Sequence, residues 1–257
     1  MRLHILCDLH LEFGPVEIPA TNADVVILAG DMHVGTKGAA WALQQFPTTP
    51  IIYLMGNHEF YHNSLPALTG TIQRGTAGTH LHLLENSAVE INGYTFLGCT
   101  LWTDFSIATD PEAAMRVAEE RMNDYRIITN SNEKRALRAH DTARMNRESV
   151  AWLADQLAKC DPERTIVVTH HAPSQRSEAP YHANSPLSPA FISNTDSLVQ
   201  QSGVPLWIHG HTHFNVDYRI QSRRVLSKKE STRVLSNQFG YPGQPCKGFD
   251  PGMVVEL

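Results

Sequence analysis

"PLWIHGHTH", residues 205 to 213, passes from a short apolar run into three histidines separated by a glycine and a threonine. The first half reads as a buried strand. The second half sets imidazoles where that strand would end. The same pattern recurs four times: "LHILC" before Asp8, "ADVVILAG" before Asp31, "PIIYLMG" before Asn57 and "RTIVVT" before His170. Each run is strand-length, rich in Ile, Val and Leu, and bounded by turn residues. Such near-continuous apolar runs suit strands covered on both faces.

Helical patterns fill the gaps, over 37–46, about 64–74, 111–126 and 133–159. Asp110-Pro111-Glu112 is a start signal, with a capping residue followed by Pro at the first helical position. Residues 89–102 predict a hairpin turning at Asn92-Gly93, and "FNVDYRI" with "TRVLSNQ" predicts another strand pair. The Pro- and Ser-rich stretch 171–190 reads as a long loop of the kind that often carries function. Strands alternating with helices predict an α/β fold with parallel pairing. Ligands in such folds bind at the carboxyl ends of the strands, where all five polar clusters lie. With no repeats and no low-complexity linker, the 257 residues read as one domain over 1–257.

Composition narrows the function. A formal charge of -5 lacks the basic stripe that nucleic-acid duplex binding needs. No apolar stretch approaches the ~18 residues of a membrane span, and the start "MRLHILCDLHLEF" lacks the plan of a signal peptide. Cys7, Cys99, Cys160 and Cys246 share no CxxC spacing and read as reduced, mostly buried thiols of a cytoplasmic protein.

The clusters are Asp8-Leu9-His10, Gly30-Asp31, Gly56-Asn57-His58-Glu59, His170-His171 and Gly210-His211-Thr212-His213. Residues i and i+2 leaving a strand point the same way, so Asp8 with His10, and His211 with His213, can grip one metal. Carboxylates and imidazoles suit Mn, Fe and Zn. A bridging carboxylate, for which Asp31 is the candidate, can hold two cations roughly 3.5–4 Å apart, lowering the pKa of a bound water and clamping the oxygens of an in-line phosphoryl displacement. His209 alternates with its neighbours and should point into the sheet packing, and His171 should face away from His170.

In this order the motifs DxH, GD, GNHE, a lone His and GHxH resemble those of the calcineurin-like metallophosphoesterases, and the resemblance spans nearly the whole chain. It implies a four-layer α/β sandwich of two central mixed β-sheets flanked by helices. It guides least between about 100 and 160, where the helical patterns read as an insertion at about 104–160. It implies a first metal held by Asp8, His10, Asp31 and His213, and a second held by Asp31, Asn57, His170 and His211. The two ions would be divalent or mixed-valence, drawn from Mn, Fe, Zn or Ni. His58, Asp31 and Asn57 would carry catalysis. Asn57 would ligate through its side-chain oxygen. His58 would face the substrate, stabilising phosphoryl oxygens or protonating the leaving group. A metal-bridging hydroxide would be the nucleophile, with no covalent intermediate.

Departures from known branches narrow the substrate. "GDMHVGTKG" and Met55 do not fit the protein phosphatases, His58 does not fit the branch acting on a lipid A precursor, and the acidity speaks against the double-strand-break nucleases. What remains is a phosphoesterase for small phosphate esters, with a lean to nucleotide-like phosphodiesters. Small phosphomonoesters are the alternative, and a non-catalytic metal-binding scaffold is a third reading, opposed by the full set of ligand positions. Beside these, Glu59 reads as a structural hydrogen-bonding partner, and His33 and His62 as loop residues. Trp102 reads as core and Asp104 as a residue near the mouth. Arg135, Arg138, His140, Arg144 and Arg147 read as a solvated helix face, and Asn237 as a residue of the rim.

Overall fold

The apolar runs become strands because both of their faces find cover. The computed structural model describes residues 1–183, 185–224 and 230–257; Asn184, inside the expected 171–190 loop, lies outside them. Sheet I has five strands in the order 254–256, 2–6, 25–29, 51–54 and 81–83. Sheet II has six, in the order 217–221, 231–235, 206–208, 165–169, 94–99 and 87–91. The central pairs are parallel, as in Leu3↔Val25 and Val26↔Ile51 of sheet I, and Ile166↔Leu206 of sheet II. The edge pairs of sheet II and the 2–6/254–256 pair are antiparallel, so both sheets are mixed.

Alternation along the strands assigns each side chain to a layer. Val25, Ile27 and Ala29 meet Ile166, Val168, Leu206 and Ile208 in a buried core between the sheets. Val26 and Leu28 point the other way, onto α1 (Lys37–Gln45), α2 (Ala67–Thr76) and α3 (Pro111–Arg121). On the far side, Val167 and Trp207 of sheet II pack under α5 (Ala139–Lys159) and α6 (Asp196–Ser202), through Leu153, Leu157 and Val199. Helices, sheet, sheet and helices make the expected four-layer sandwich.

The 91–94 hairpin closes as expected, with Asn92 and Gly93 both at positive φ, the conformation a two-residue type I′ turn requires. Three helix boundaries differ from the sequence reading. Residues 64–65 form a short strand instead, and α2 begins after Pro66. The expected 111–126 helix stops at Arg121. Met122 is extended, and a separate turn, α4 (Asp124–Ile127), follows. Residues 135–136 pair with 129–130 rather than opening a helix at 133. The helix starts beyond them because the Asp141 carboxylate accepts from the Arg138 amide at 3.0 Å and from the Arg135 guanidinium at 2.6 Å. Those bonds tie the incoming chain to the first turn, the reciprocal half of a capping box.

Candidate metal centre

The strands of both sheets end at one place, and each polar cluster turns sharply there. Asp8, His10, Asp31, His211 and His213 all have φ between 46° and 71°. Such left-handed backbone is uncommon for non-glycine residues and persists only where the surroundings enforce it. Asp8 and His10 therefore converge through left-handed turns, not through the strand pleat that the i, i+2 spacing suggested.

Hydrogen bonds lock those turns. The His211 amide donates to both oxygens of Asp8, at 2.9 and 3.1 Å. The His58 amide donates to Asp31 Oδ1 at 2.8 Å. Buried Glu59 accepts from the amides of Asp31, Met32 and Gly56 and from the Tyr53 hydroxyl, which makes it the structural partner expected. Gly56 and Gly210 have functional reasons to lack a side chain. A Cβ at Gly56 would collide with the Asp31 carboxylate and His170, and one at Gly210 with the Asp8 carboxylate.

The ring nitrogens and carboxylates then converge. His10 Nε2 lies 3.0 Å from His213 Nε2, and His213 Nε2 lies 3.5 Å from Asp8 Oδ1. His170 Nε2 lies 3.5 Å from Asp31 Oδ2 and 3.2 Å from Asn57 Oδ1. Three groups are close enough to hold a cation: Asp8 with His10 and His213; His10 with Asp31 and His58; and Asp31 with His170 and His211. The donor chemistry fits divalent metals. Burial, with His171 and His170 nearby, holds His211 well below the usual histidine range, so it is the neutral imidazole that ligates metals. Its Nε2 is buried without a hydrogen-bond partner among the described residues. A donor atom left bare in a polar cradle is costly unless something else occupies it.

The calcineurin-like phosphoesterase family model matches residues 8–215, from the first aspartate of this centre to just past its last histidine. The chain belongs to the calcineurin-like phosphoesterase family. Its relatives include the uncharacterised protein L509 of Acanthamoeba polyphaga mimivirus, 28% identical over 225 residues, which covers 80% of this chain and 73% of that protein. Among solved structures it is similar to the phosphopantetheinyl hydrolase PptH of Mycobacterium tuberculosis, with a TM-score of 0.72 and 17% identity over 94% of this chain and 90% of that one. At that identity the likeness concerns the fold. Family membership and the His/Asp groups support a metal-dependent phosphoester hydrolase.

Around the centre of this phosphoesterase stand residues that sequence reasoning missed. Glu12 Oε1 accepts from His10 Nδ1 at 3.1 Å and from His58 Nδ1 at 2.8 Å. Burial opposes the Glu12 charge, but its bonds to the two imidazoles win and hold the carboxyl down at about 2. Burial likewise opposes charge on His58, while Asp31 and Glu12 outweigh it and raise the ring to about 8. Asp124 accepts from Asn57 Nδ2 at 3.0 Å and from the Tyr61 hydroxyl at 2.8 Å, which turns the Asn57 oxygen toward His170. Tyr61 stacks on His58, with ring centroids 4.1 Å apart, and the Tyr241 hydroxyl lies 3.2 Å from His58 Nε2. The "DLHLE" run could have flagged Glu12, since a carboxylate two residues beyond a ligating histidine can reach its far nitrogen. Asp124 and Tyr241 carry no such signal, because folding alone brings them near.

The remaining expectations sort cleanly. His209 turns away, with its Nε2 2.8 Å from Ser177 Oγ, and burial pushes it down to about 4. His171 bonds the Thr100 carbonyl through Nδ1 and lies against the His211 ring, bracing it. Trp102 is core, packed between Phe60 and His171. Arg135 is not part of the expected helix face: it stands on the 135–136 strand and pairs with buried Asp141, while exposed His140 and Arg144 on α5 pair with Glu112 and Glu148. Asn237 does not reach the rim. It is fully buried and donates to the Ile5 and Asp250 carbonyls, stitching the first strand to the last turn. Asp104 caps the Ser106 amide instead of guarding the mouth.

A cavity of about 360 Å³ opens over the centre. Its floor holds Asp31, Asn57, His58, His211 and His213. One wall is the 121–124 junction of α3 and α4, and the other is formed by described residues of 178–183 and 185–192. Arg121 and His182 stand on these walls, and neither was singled out from the sequence. No helix among the described residues is long and apolar enough to cross a membrane.

Proposed function

We propose that this protein hydrolyses small phosphate esters with two metal ions. Asp8, His10, Asp31 and His213 would hold one ion, and Asp31, Asn57, His170 and His211 the other, with Asp31 shared. The observation that carries this reading is the convergence of buried Asp31 with His10 on one side and with His170 and His211 on the other. When bound, the pair of cations supplies a low-pKa water and charge neutralisation for the phosphoryl oxygens. The chain's own residues do the rest. The amide of His58 fixes Asp31, Asp124 fixes Asn57, and His58 presents Nε2 to the cavity. From there a proton held on Nε2 reaches the oxygen that leaves phosphorus.

The cavity has the volume of a small-molecule pocket. Met122, Leu187, Phe191 and Ile192 give it an apolar side beside the polar floor. An organic group of nucleotide-like size on the phosphate fits there, and among such esters we lean to diesters. A phosphomonoester with a similar organic group is the second reading. The native metals we take from Mn, Fe, Zn and Ni. We read the chain as one domain over 1–257, with 104–160 as a helical elaboration, and its four free thiols as those of a cytoplasmic protein.

The test is hydrolysis of bis-p-nitrophenyl phosphate against p-nitrophenyl phosphate, on chelator-stripped protein with Mn, Ni, Zn, Mg or Fe restored. Metal-dependent cleavage that favours the diester is expected. Monoester preference would shift the reading to the alternative, and no cleavage with any metal would return the scaffold reading.

A further inference from the structure

We propose that Glu12 is a positioning residue that sets the tautomer of two imidazoles at once, the metal-facing His10 and the substrate-facing His58. The proposal rests on the reading of His58 given above. Glu12 sits in a short turn, Leu11–Phe13, that starts from the left-handed His10 and is closed by the Phe13 amide donating to the His10 carbonyl at 2.9 Å. The turn folds the carboxylate back toward the motif that precedes it. There Oε1 meets both Nδ1 atoms, at 3.1 and 2.8 Å, while the two rings pack edge to face with centroids 4.3 Å apart.

An ionised carboxylate only accepts. Each Nδ1 facing it must therefore carry a proton, and each neutral ring is left with a free lone pair on Nε2. For His10 that atom faces His213 and Asp31. For His58 it faces the Tyr241 hydroxyl and the cavity. One oxygen thus leaves His10 a lone pair for a metal, and leaves His58 an Nε2 that takes up the proton it will deliver while its Nδ1–H stays on Glu12. Hydrogen bonds to the far nitrogen are what fix a ligating or catalytic histidine.

A plain packing role explains this carboxylate poorly. Its second oxygen, Oε2, is buried with no hydrogen-bond partner among the described residues. Buried charge is costly unless it is paired, and the side chains that pair with this carboxylate are the two imidazoles, both on Oε1.

Long-range 1H–15N spectra of the histidine rings test this on the zinc-loaded protein, which is diamagnetic, at a pH where the rings are neutral. The wild type should show His58 protonated on Nδ1. Glu12→Leu removes the acceptor. It should shift His58 toward the Nε2-protonated form and lower kcat on an alkyl phosphodiester by about 10- to 100-fold. KM should stay within about twofold, and a p-nitrophenyl ester, whose leaving group needs little protonation, should lose much less. Glu12→Gln keeps an accepting oxygen, so it should restore the tautomer and most of the rate.

Wild-type His58 unprotonated on Nδ1 would overturn the proposal. So would a Glu12→Leu protein with unchanged tautomer, or one that loses rate equally on both leaving groups. His58→Ala, measured alongside, separates the two levels. If it leaves the alkyl ester rate intact, the His58 reading fails and this proposal with it. If it is costly while Glu12→Leu is not, only the Glu12 proposal fails. Should Glu12→Leu not fold, the wild-type spectrum and Glu12→Gln decide the matter.

Discussion

The floor and the walls of the cavity are built on opposite principles. The floor comes from strand ends of both sheets. Asp8, His10 and His170 are fully buried, Asp31, Asn57, His58 and His211 at most 5% exposed, and several are held by backbone amides. The walls come from a helix junction and a loop of short turns, and Arg121, Asn123 and His182 on them are exposed. Buried, backbone-locked groups have little freedom to drift, which suits chemistry that needs fixed geometry. Exposed wall residues can change without disturbing the sandwich, which suits selectivity. The difference separates fixed, backbone-locked groups on the sheets from an exposed surface on the loops, and substitutions on each can be read apart.

Substitutions can break that division, and the largest effect belongs to the floor. Asp31→Asn should remove bound metal and lower hydrolysis beyond the roughly 10²–10⁴-fold that a positioned acid contributes. Metal analysis beside a rate assay checks it, and full turnover with metal retained would refute the shared-ligand role. His58→Ala should fall within that 10²–10⁴-fold range while keeping its metal; loss of the metal would make His58 a ligand. Asp124→Leu, one layer out, frees the Asn57 amide and should cost about 10-fold in rate or in metal affinity. Smallest of all should be Arg121→Ala on the wall. It should leave kcat on bis-p-nitrophenyl phosphate within about twofold and change KM among esters of different organic groups. A wall substitution that abolished kcat on every ester would erase the distinction.

Legibility in the sequence follows the same line. The floor could be read because its residues lie in short motifs at the ends of apolar runs, and two-face burial makes those runs unusually clear. Asp31 and His211 are found this way. The alternation that sent His209 inward held, while the one invoked for Asp8 and His10 did not operate, because left-handed turns beyond the strands took over. Glu12 was half visible, two residues past His10. Asp124, Tyr241, Arg121 and His182 were not visible at all. They reach the site through the break after α3 and through loops, where no periodicity records which side chain faces inward. The α3 break itself was hidden, since Met122 continues an apolar helical pattern up to the residue at which the backbone becomes extended. Asn237 misled for the opposite reason. A polar residue after a terminal strand reads as rim, yet here it satisfies buried carbonyls.

The central claim is that strand ends of two sheets build one paired metal centre through Asp31. Its most direct test is a metal titration of chelator-stripped wild type and Asp31→Asn, with ions per chain and phosphodiester hydrolysis measured on the same samples. The account predicts two ions per wild-type chain, with hydrolysis rising as the second binds, and fewer ions and no hydrolysis for Asp31→Asn. Full hydrolysis with one ion or none, or two tightly held ions in Asp31→Asn, would contradict it.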